Sequence, residues 1–336
     1  MHAGRDPTHL DRVVTERRSV SQVTSSPTVA VPTVFVEHLD PVEGVEVLPY
    51  DPRDLQTPPG GGRDVDVLSL PFTAGRWMTR LDEIAGLRGV VLASAGFEHA
   101  LRYLPAGVDL ANAVGVHDTA TAEMALTLML ASQREIPGYV LAQSEGRWDR
   151  SGAGQRRSLA DSRVVVLGYG GIGRALAQRL VAAECEVVAV ASRERAGDDL
   201  VERVHGIDRL TDLLPGADVL AVAVPLTDAT RGLVDATALA ALPDDALVVN
   251  VARGPVVDNE ALQRECAAGR LRAALDVTDP EPLPEGHPLW STPGVLVSPH
   301  VGGGTPASYP RMGRYLSRQL TAYRDHGRLD HVVATG

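Results

Sequence analysis

Lysine is absent from this chain of 336 residues, and all 32 residues in the lysine and arginine class are arginine. Its absence excludes chemistry that needs a lysine, such as Schiff-base formation, the anchoring of pyridoxal phosphate, and the Walker A phosphate loop. Acidic residues outnumber basic ones, 43 to 32, which gives a formal net charge of −11. This balance argues against broad nucleic-acid binding and against a polybasic membrane-binding surface.

Cysteine and long apolar runs are scarce as well. Cys185 and Cys266 have no CxxC partner and no nearby metal ligands, so we expect no disulfide framework, no metal site and a reducing, cytoplasmic location. Every apolar stretch is interrupted by a charged residue, Gly or Pro before it reaches 18 residues, so no transmembrane helix is predicted. Residues 1–28 lack the apolar core of a secretory signal and are expected to form a flexible N-terminal extension.

Two series of short apolar runs predict the fold class. The first series includes residues 64–70 and 89–94, and the second has six runs between 163 and 299: RVVVLG, EVVAVA, DVLAVAV, ALVVNV, RAALDV and GVLVSP. Such runs alternating with helices predict an α/β chain with two doubly wound, Rossmann-like parallel sheets, and the length predicts two domains. Apolar residues at helical spacing predict one unusually long connecting helix at about 119–142.

A glycine turn stands between the first strand and the first helix of the second series. Residues 168–173 read Gly-Tyr-Gly-Gly-Ile-Gly, which is the GxGxxG pattern of dinucleotide-binding folds. Gly168 permits the tight turn, Gly170 lets the backbone approach a pyrophosphate, and Gly173 lets the helix pack close to the strand. Because the flanking strand, the helix and a second strand at 186–191 stand where the fingerprint requires them, we predict dinucleotide binding here.

The end of the strand at 186–191 indicates which cofactor to expect. In this fold an acidic residue at that point binds the 2′-hydroxyl of the adenosine ribose. Here Ala191 takes its place and is followed by Ser192 and Arg193. Loss of the carboxylate removes a repulsion, and the hydroxyl and the cation offer donors to a 2′-phosphate, so NADP is predicted over NAD. The alternative, a solvated loop with NAD as the cofactor, remains open.

Three charged residues follow neighbouring strands of the second series. Arg253 follows ALVVNV, Glu281 follows RAALDV, and His300 follows GVLVSP. Because the carboxyl ends of parallel strands meet at one edge of a sheet, these side chains can converge. Singly, they have ordinary explanations as a surface ion pair, a solvated loop residue and a structural histidine. Together they predict a site for chemistry on a small acid.

The trio suits hydride transfer between a 2-oxo acid and a 2-hydroxy acid. Arg253 would bind the substrate carboxylate and polarise the C2 oxygen through charge-assisted hydrogen bonds. His300 would exchange the proton on that oxygen. Glu281, bonded to the other ring nitrogen, would orient the imidazole and favour its charged form. A nicotinamide cofactor supplies or accepts the hydride.

Seven motifs, in their order along the chain, resemble the D-isomer-specific 2-hydroxyacid dehydrogenase family, which includes glyoxylate/hydroxypyruvate reductases and phosphoglycerate dehydrogenase. They are SAGFEH (94–99), the glycine turn, VPLTDATRGLV (224–234), NVARGPVVD (250–258), ALDVTDPEPLP (274–284), HPLW (287–290) and SPHVGGGT (298–305). The resemblance runs from about residue 64 to 325. It implies an oxidoreductase that uses NAD(P)H and a small 2-oxo or D-2-hydroxy acid, with no nucleic-acid or membrane partner.

The resemblance also implies roles for individual residues. The same three charged residues would be catalytic, and the backbone of Ala95 and Gly96 would bind the substrate carboxylate. Asp276 would hold the nicotinamide amide. Further cofactor contacts are implied within the matching motifs, at Tyr169, Gly171, Ile172, Val224, Pro225, Thr230, Val251, Ala252 and Gly302.

Family architecture implies the domain boundaries. The substrate domain would be discontinuous, formed by residues 29–117 and 300–336, with the dinucleotide-binding domain of residues 118–299 inserted into it. The hinges would lie near residues 118 and 300, and a homodimer would form through the helix that starts at about 119. One departure is Phe97-Glu98, where the family often has Val-Asp, so an aromatic side chain near the substrate loop is expected to alter the pocket or to pack.

Two other functions stay open at the level of sequence. A formate dehydrogenase of the same superfamily should have a glutamine as the partner of the histidine, because formate oxidation releases no alcohol proton, so Glu281 speaks against it. A nucleotide-sensing binding protein, like the transcriptional corepressors that share this fold, can retain the catalytic trio.

Overall fold

The computed structural model describes residues 26–72, 76–152 and 156–336. Residues 1–25 of the expected N-terminal extension therefore lie outside the described residues. The first strand begins at Thr28, which is the last residue of the range assigned to that extension from sequence.

Fourteen strands and eight α-helices are formed by the described residues, together with several short 3-10 helices. The strands are β1 (Thr28–Pro32), β2 (Glu46–Tyr50), β3 (Val67–Leu70), β4 (Gly89–Leu92), β5 (Asp109–Ala111), β6 (Arg163–Leu167), β7 (Glu186–Ala191), β8 (Arg195–Ala196), β9 (Arg203–Gly206), β10 (Val219–Val222), β11 (Leu247–Asn250), β12 (Arg272–Leu275), β13 (Val295–Val297) and β14 (Val332–Thr335). The helices are α1 (Thr33–Val36), α2 (Asp118–Gln133), α3 (Ile136–Ser144), α4 (Gly171–Ala182), α5 (Leu210–Leu213), α6 (Ala236–Ala241), α7 (Asn259–Ala267) and α8 (Ser308–His326).

The first sheet has six strands in the order β14-β5-β4-β3-β1-β2. Its strands are parallel except for β14, which pairs antiparallel with β5. Helices α1 and α8 cover one face, where Phe35, Met312 and Tyr315 are buried against Val67 and Val91. Because α8 and β14 come from the end of the chain, this sheet is built from two separate parts of the sequence.

The second sheet has eight strands in the order β13-β12-β11-β10-β6-β7-β9-β8. All are parallel except β8, which runs antiparallel to β9. The six apolar runs predicted from sequence form β6, β7, β10, β11, β12 and β13. Strands β10 and β11 are buried at every residue, as expected where helices cover both faces of a parallel sheet.

The connecting segment differs from the single long helix expected at about 119–142. Helix α2 ends at Gln133, and α3 begins at Ile136 after Glu135, whose φ of 51° lies in the left-handed region. Pro137 explains the break, because in a continuous helix it would have no N–H to donate to the Gln133 carbonyl and its ring would clash with that carbonyl. The prediction of one continuous helix was therefore wrong.

These two sheets confirm the predicted fold class. Two Rossmann-like α/β domains are present, and the domain with β6 to β13 is inserted between the two parts of the other one. No helix among the described residues combines the length and the apolar character needed to cross a membrane.

Candidate active site

The glycine turn joins β6 to α4, and two of its glycines are required by the packing of the protein itself. Gly168 has a φ of 107°, and a side chain there would lie 2.6 Å from the backbone of Ala223. A side chain at Gly173 would overlap the carbonyl oxygen of Gly168. Gly170 is different, because a Cβ there would meet no atom within 4 Å.

The open space at Gly170 fits a dinucleotide pyrophosphate. The first N–H groups of a helix lack partners within the helix, and the helix dipole favours an anion at this end. Gly170 and Gly171 lead into α4 without a capping side chain. The turn therefore leaves room for phosphate oxygens directly in front of unpaired N–H groups.

A network of polar side chains lies beside the glycine turn. The buried Tyr169 donates its hydroxyl to Asp198 at 3.0 Å, and Arg174 pairs with the same carboxylate at 2.9 Å. Burial, together with the bond to Asp198, raises the pKa of Tyr169 to about 12. Arg195 donates to the carbonyl oxygen of Tyr169 at 2.8 Å. These residues line a cavity of about 200 Å³ that also borders Gly170.

The two residues expected to select NADP lie directly after β7. Ser192 and Arg193 are exposed. Within the described part of the chain, neither side chain makes a hydrogen bond or an ion pair. Glu194 is held by Arg203 at 3.0 Å. Arg193 is thus free to turn toward a ligand at the end of β7.

The carboxyl ends of β12 and β13 bring His300 and Glu281 together. Nδ1 of His300 lies 2.5 Å from Oε1 of Glu281. Both side chains are partly open to solvent, at 41% and 39% exposure. The backbone of His300 has a φ of 53°, and its N–H donates to the carbonyl oxygen of Asp276 at 2.8 Å. Nε2 of His300 has no partner among the described residues.

Asp276 fixes the loop that carries the histidine. The residue is buried, at 2% exposure, and its carboxylate accepts hydrogen bonds from the Ser298 hydroxyl at 2.6 Å and the backbone N–H groups of Val301 and Gly302 at 3.0 and 2.8 Å. A carboxylate has about four acceptor positions. One position is left for the nicotinamide amide that the family resemblance implied.

Arg253 joins the second sheet to the substrate loop of the first. Its NH1 donates to the Ala252 carbonyl at 2.7 Å, and the guanidinium lies where a side chain at Gly96 would be. Asn112 donates to the carbonyl oxygen of Ala95. The N–H groups of Ala95 and Gly96 have no hydrogen-bond acceptor within the described residues, so they are available to a bound anion.

The remaining residues expected to bind the cofactor follow β10 and β11. Thr230 donates its hydroxyl to the Pro225 carbonyl at 2.6 Å, which closes the loop. Val224 lies next to Gly168. Val251 and Ala252, which directly precede Arg253 in the sequence, are buried. All of them lie at the edge of the second sheet where the glycine turn and His300 also lie.

Comparison with known proteins decides the family. Residues 126–302 match the profile described as "D-isomer specific 2-hydroxyacid dehydrogenase, NAD binding domain". The chain belongs to this family. It is 31% identical to the hydroxypyruvate reductase of Thermotoga maritima over 64% of this chain and 69% of that protein. It is 31% identical to the glyoxylate reductase/hydroxypyruvate reductase of Mus musculus over 71% and 74%.

Solved structures agree with this assignment. A D-isomer specific 2-hydroxyacid dehydrogenase from Xanthobacter autotrophicus Py2, solved in complex with NADPH and MES, shares 29% identity with a TM-score of 0.72, covering 92% of this chain and 98% of that one. As a member of the D-isomer specific 2-hydroxyacid dehydrogenase family, this protein is an oxidoreductase with an NAD-binding domain.

Some residues of this 2-hydroxyacid dehydrogenase site were missed by the sequence analysis. Arg174, Asp198 and Asn112 carry no motif signal, because their importance comes from contacts between segments that are distant in sequence. Arg174 and Asp198 are 24 residues apart, and Asn112 is 17 residues from Ala95. Only the position of Arg174 just after the glycine turn could have drawn attention to it.

Proposed function

We propose that this enzyme reduces a small 2-oxo acid to the D-2-hydroxy acid, with NADPH as the preferred hydride donor. The observation that carries the proposal is the hydrogen-bonded pair of Glu281 and His300 at 2.5 Å; Arg253, which contacts the loop at Gly96, supports it. The cofactor supplies the hydride when bound. The protein's own residues bind, orient and protonate the substrate.

Arg253 binds the substrate carboxylate. Its guanidinium reaches Gly96 from the other domain, and the N–H groups of Ala95 and Gly96 on the same loop have no acceptor among the described residues. A carboxylate placed there would be held by a charge-assisted bond from Arg253 and by two backbone donors. The C2 carbonyl oxygen would then lie beside the arginine, which favours the negative charge that develops on it.

His300 donates a proton to that oxygen through Nε2. Glu281 accepts from Nδ1, so it fixes the tautomer and stabilises the charged ring before the proton leaves. The same contact separates this proposal from formate oxidation, in which no alcohol proton has to be moved. A carboxylate partner for the histidine has a clear purpose only where the ring must carry a proton.

The cofactor would lie across the edge of the second sheet. Gly170 to Gly173 would hold the pyrophosphate, Asp276 the nicotinamide amide, and the loop of Val224 to Thr230 one side of the nicotinamide half. Ser192 and Arg193 would bind a 2′-phosphate. Arg195, which donates to the Tyr169 carbonyl, would add positive charge near that phosphate. We infer a preference for NADPH from these residues and from Ala191.

Domain movement and assembly complete the proposal. Both chain crossings between the sheets, near residues 118 and 300, serve as hinges on which the cleft closes and excludes water.

Large apolar side chains on and after α3 are exposed, including Val140 at 57%, Leu141 at 65% and Trp148 at 91%. Such a patch is typical of a subunit interface, which supports a homodimer. The free thiols of Cys185 and Cys266 favour a cytoplasmic location.

The test is a panel of 2-oxo acids assayed with NADPH and with NADH. Glyoxylate, hydroxypyruvate and bulkier 2-oxo acids are incubated with each cofactor, and loss of reduced cofactor is followed by absorbance. The configuration of every chiral product is then determined. Turnover of at least one acid to the D-isomer is expected; no turnover of any of them, or an L product, contradicts the proposal.

A further inference from the structure

A carboxylate lies against the first residue of the helix that follows the glycine turn. Asp118 is the first residue of α2, and its Oδ2 occupies the position that a side chain at Gly171 would take. Gly171 is the first residue of α4. Because Gly171 has no side chain, nothing separates this carboxylate from the N-terminal turn of α4.

The Asp118 carboxylate has no partner that would account for its position. It is half-buried, and within residues 26–72, 76–152 and 156–336 neither oxygen makes a hydrogen bond or an ion pair. The titratable groups that face it are His117, the residue just before α2, and Arg311 on α8. On α4, Arg174 is turned toward Asp198 and Asp199 instead.

Two anions would compete for this end of α4. The N-terminus of a helix attracts negative charge within its first turn, and the glycine turn leaves room there for a pyrophosphate. The Asp118 carboxylate already places one negative charge against Gly171, the first residue of this turn. A phosphate group that approaches the N–H groups of the turn is repelled by the carboxylate, because like charges a few ångströms apart interact strongly at a partly desolvated surface.

We propose that Asp118 sets the affinity for the cofactor by opposing it, as a resident anion at the site where the dinucleotide pyrophosphate binds. Asp118 can act in this way only if a dinucleotide binds at the glycine turn, as the proposed function requires. Its charge is already costly in the half-buried free protein and costs more when the phosphates are bound, so its removal favours the complex over the free protein.

The sign of the pH dependence follows from the charge of Asp118. Burial raises the pKa of the Asp118 carboxyl above its usual range, and the positive charges of His117 and Arg311 partly oppose this effect. Protonation removes the repulsion, so cofactor affinity is highest at acidic pH and falls as pH rises through the pKa of Asp118. By linkage, cofactor binding at acidic pH takes up a fraction of a proton.

The test measures binding and not turnover. Dissociation constants for NADH are determined by fluorescence between pH 5 and pH 8 for the wild type, Asp118→Asn and the control Asp82→Asn, which removes one exposed carboxylate from the first domain. NADH is the probe because it lacks the 2′-phosphate, whose own titration falls in the same range. NADPH is added at pH 8 as a second ligand.

Asp118→Asn is expected to bind both dinucleotides on the order of tenfold more tightly at pH 8, and to lose most of the pH dependence seen in the wild type. Calorimetry in two buffers of different ionisation enthalpy should show proton uptake near pH 5 in the wild type and in Asp82→Asn, and little uptake in Asp118→Asn. The melting temperature of the free Asp118→Asn protein should be equal to or slightly above that of the wild type, because the variant lacks a half-buried charge whose pKa is raised by burial.

Other outcomes overturn the proposal. If Asp118→Asn binds NADH no more tightly than the wild type, or retains the same pH dependence, Asp118 does not oppose the cofactor. A lower melting temperature with unchanged binding would assign the carboxylate a purely structural role. If no variant binds either dinucleotide, the proposed function fails as well, and that result is distinguishable because it includes the wild type and Asp82→Asn.

A second variant provides an independent check. Gly171→Ala places a methyl group where the Asp118 carboxylate lies, so it forces the carboxylate to move. In the Asp118→Ala background the methyl group meets no such obstacle. We expect Gly171→Ala to change the NADH dissociation constant in the presence of Asp118 and to change it much less in its absence; equal effects in both backgrounds contradict the direct contact.

Discussion

The guanidinium of Arg253 occupies the space in which a side chain at Gly96 would lie. The two residues belong to different domains, since Gly96 follows β4 of the first sheet and Arg253 follows β11 of the second. Their contact therefore places the residue proposed to bind the substrate carboxylate directly over the loop whose N–H groups are free. A glycine at position 96 is required by this arrangement and not by its own backbone conformation.

Gly96→Ala tests this relationship. The methyl group should push the guanidinium away from the loop, which raises KM for the 2-oxo acid and lowers kcat/KM by up to about 100-fold, because a displacement of this order misplaces the substrate. NADPH affinity should be unchanged. Gly138→Ala is the matched control, since a Cβ there meets no atom within 4 Å. Steady-state kinetics at wild-type level for Gly96→Ala would show that Arg253 can move without consequence.

Much of this site could be predicted from sequence because its geometry follows from a general property of parallel sheets. The carboxyl ends of neighbouring strands meet at one edge, so Glu281 and His300 could be placed together although they are 19 residues apart. The glycine turn was predictable for a similar reason. Its glycines stand at fixed positions between a strand and a helix.

Other parts depend on tertiary contacts that no local pattern specifies. Apolar residues at helical spacing lie on both sides of Arg134 and Glu135, so the break before α3 was not expected, although Pro137 marks it. The contact of Asp118 with Gly171 depends on how α2 packs against α4. Sequence reasoning placed the six main strands of the second sheet correctly, but it could not show which side chains meet between the elements.

The proposed proton donor is tested by His300→Ala. Loss of a general acid typically reduces the rate by about 10² to 10⁴-fold, so kcat/KM for reduction should fall within that range. Arg253→Ala should also lower kcat/KM, with a large increase in KM because the substrate carboxylate loses its cation. His326→Ala, at the exposed end of α8, is the control. Retention of most activity by His300→Ala with every substrate would refute its role.

The contact between Glu281 and His300 predicts a loss of rate when the carboxylate is removed. Reduction requires a proton from the imidazole, which must be held in the right orientation. Glu281→Gln replaces the anion 2.5 Å from Nδ1 with a neutral amide, which stabilises the charged ring less. We expect kcat for reduction to fall by roughly 10²-fold in Glu281→Gln, with little change in KM for the 2-oxo acid. Glu285→Gln removes the same charge from the same loop and should leave kcat unchanged; a wild-type kcat in Glu281→Gln would remove the proposed coupling.

The exposed apolar patch on α3 predicts a dimer. Light scattering at micromolar concentration should give a mass near twice the 35.6 kDa of the chain. Val140→Glu combined with Leu141→Glu introduces two charges into the patch and should yield monomers, because burying an unpaired charge at an interface is costly. Val181→Glu, on the exposed side of α4, is the control. A monomeric wild type would exclude the predicted homodimer.

The preference for NADPH is the prediction that depends most directly on the loop after β7. Arg193 has no described partner and Ser192 is exposed, so both are available to a 2′-phosphate, and Ala191 provides no carboxylate to repel it. A charge-assisted hydrogen bond contributes roughly 1.5 to 3 kcal/mol, so kcat/KM should favour NADPH over NADH by about ten- to a hundredfold. Ala191→Asp combined with Arg193→Ala should reverse the ratio, whereas Arg203→Ala, which removes a cation from the neighbouring strand β9, should not. Equal or better use of NADH by the wild type would contradict the preference. An unchanged ratio in the double variant would instead leave the preference intact and assign it to Arg195 and Arg174, the two cations that lie beside Tyr169.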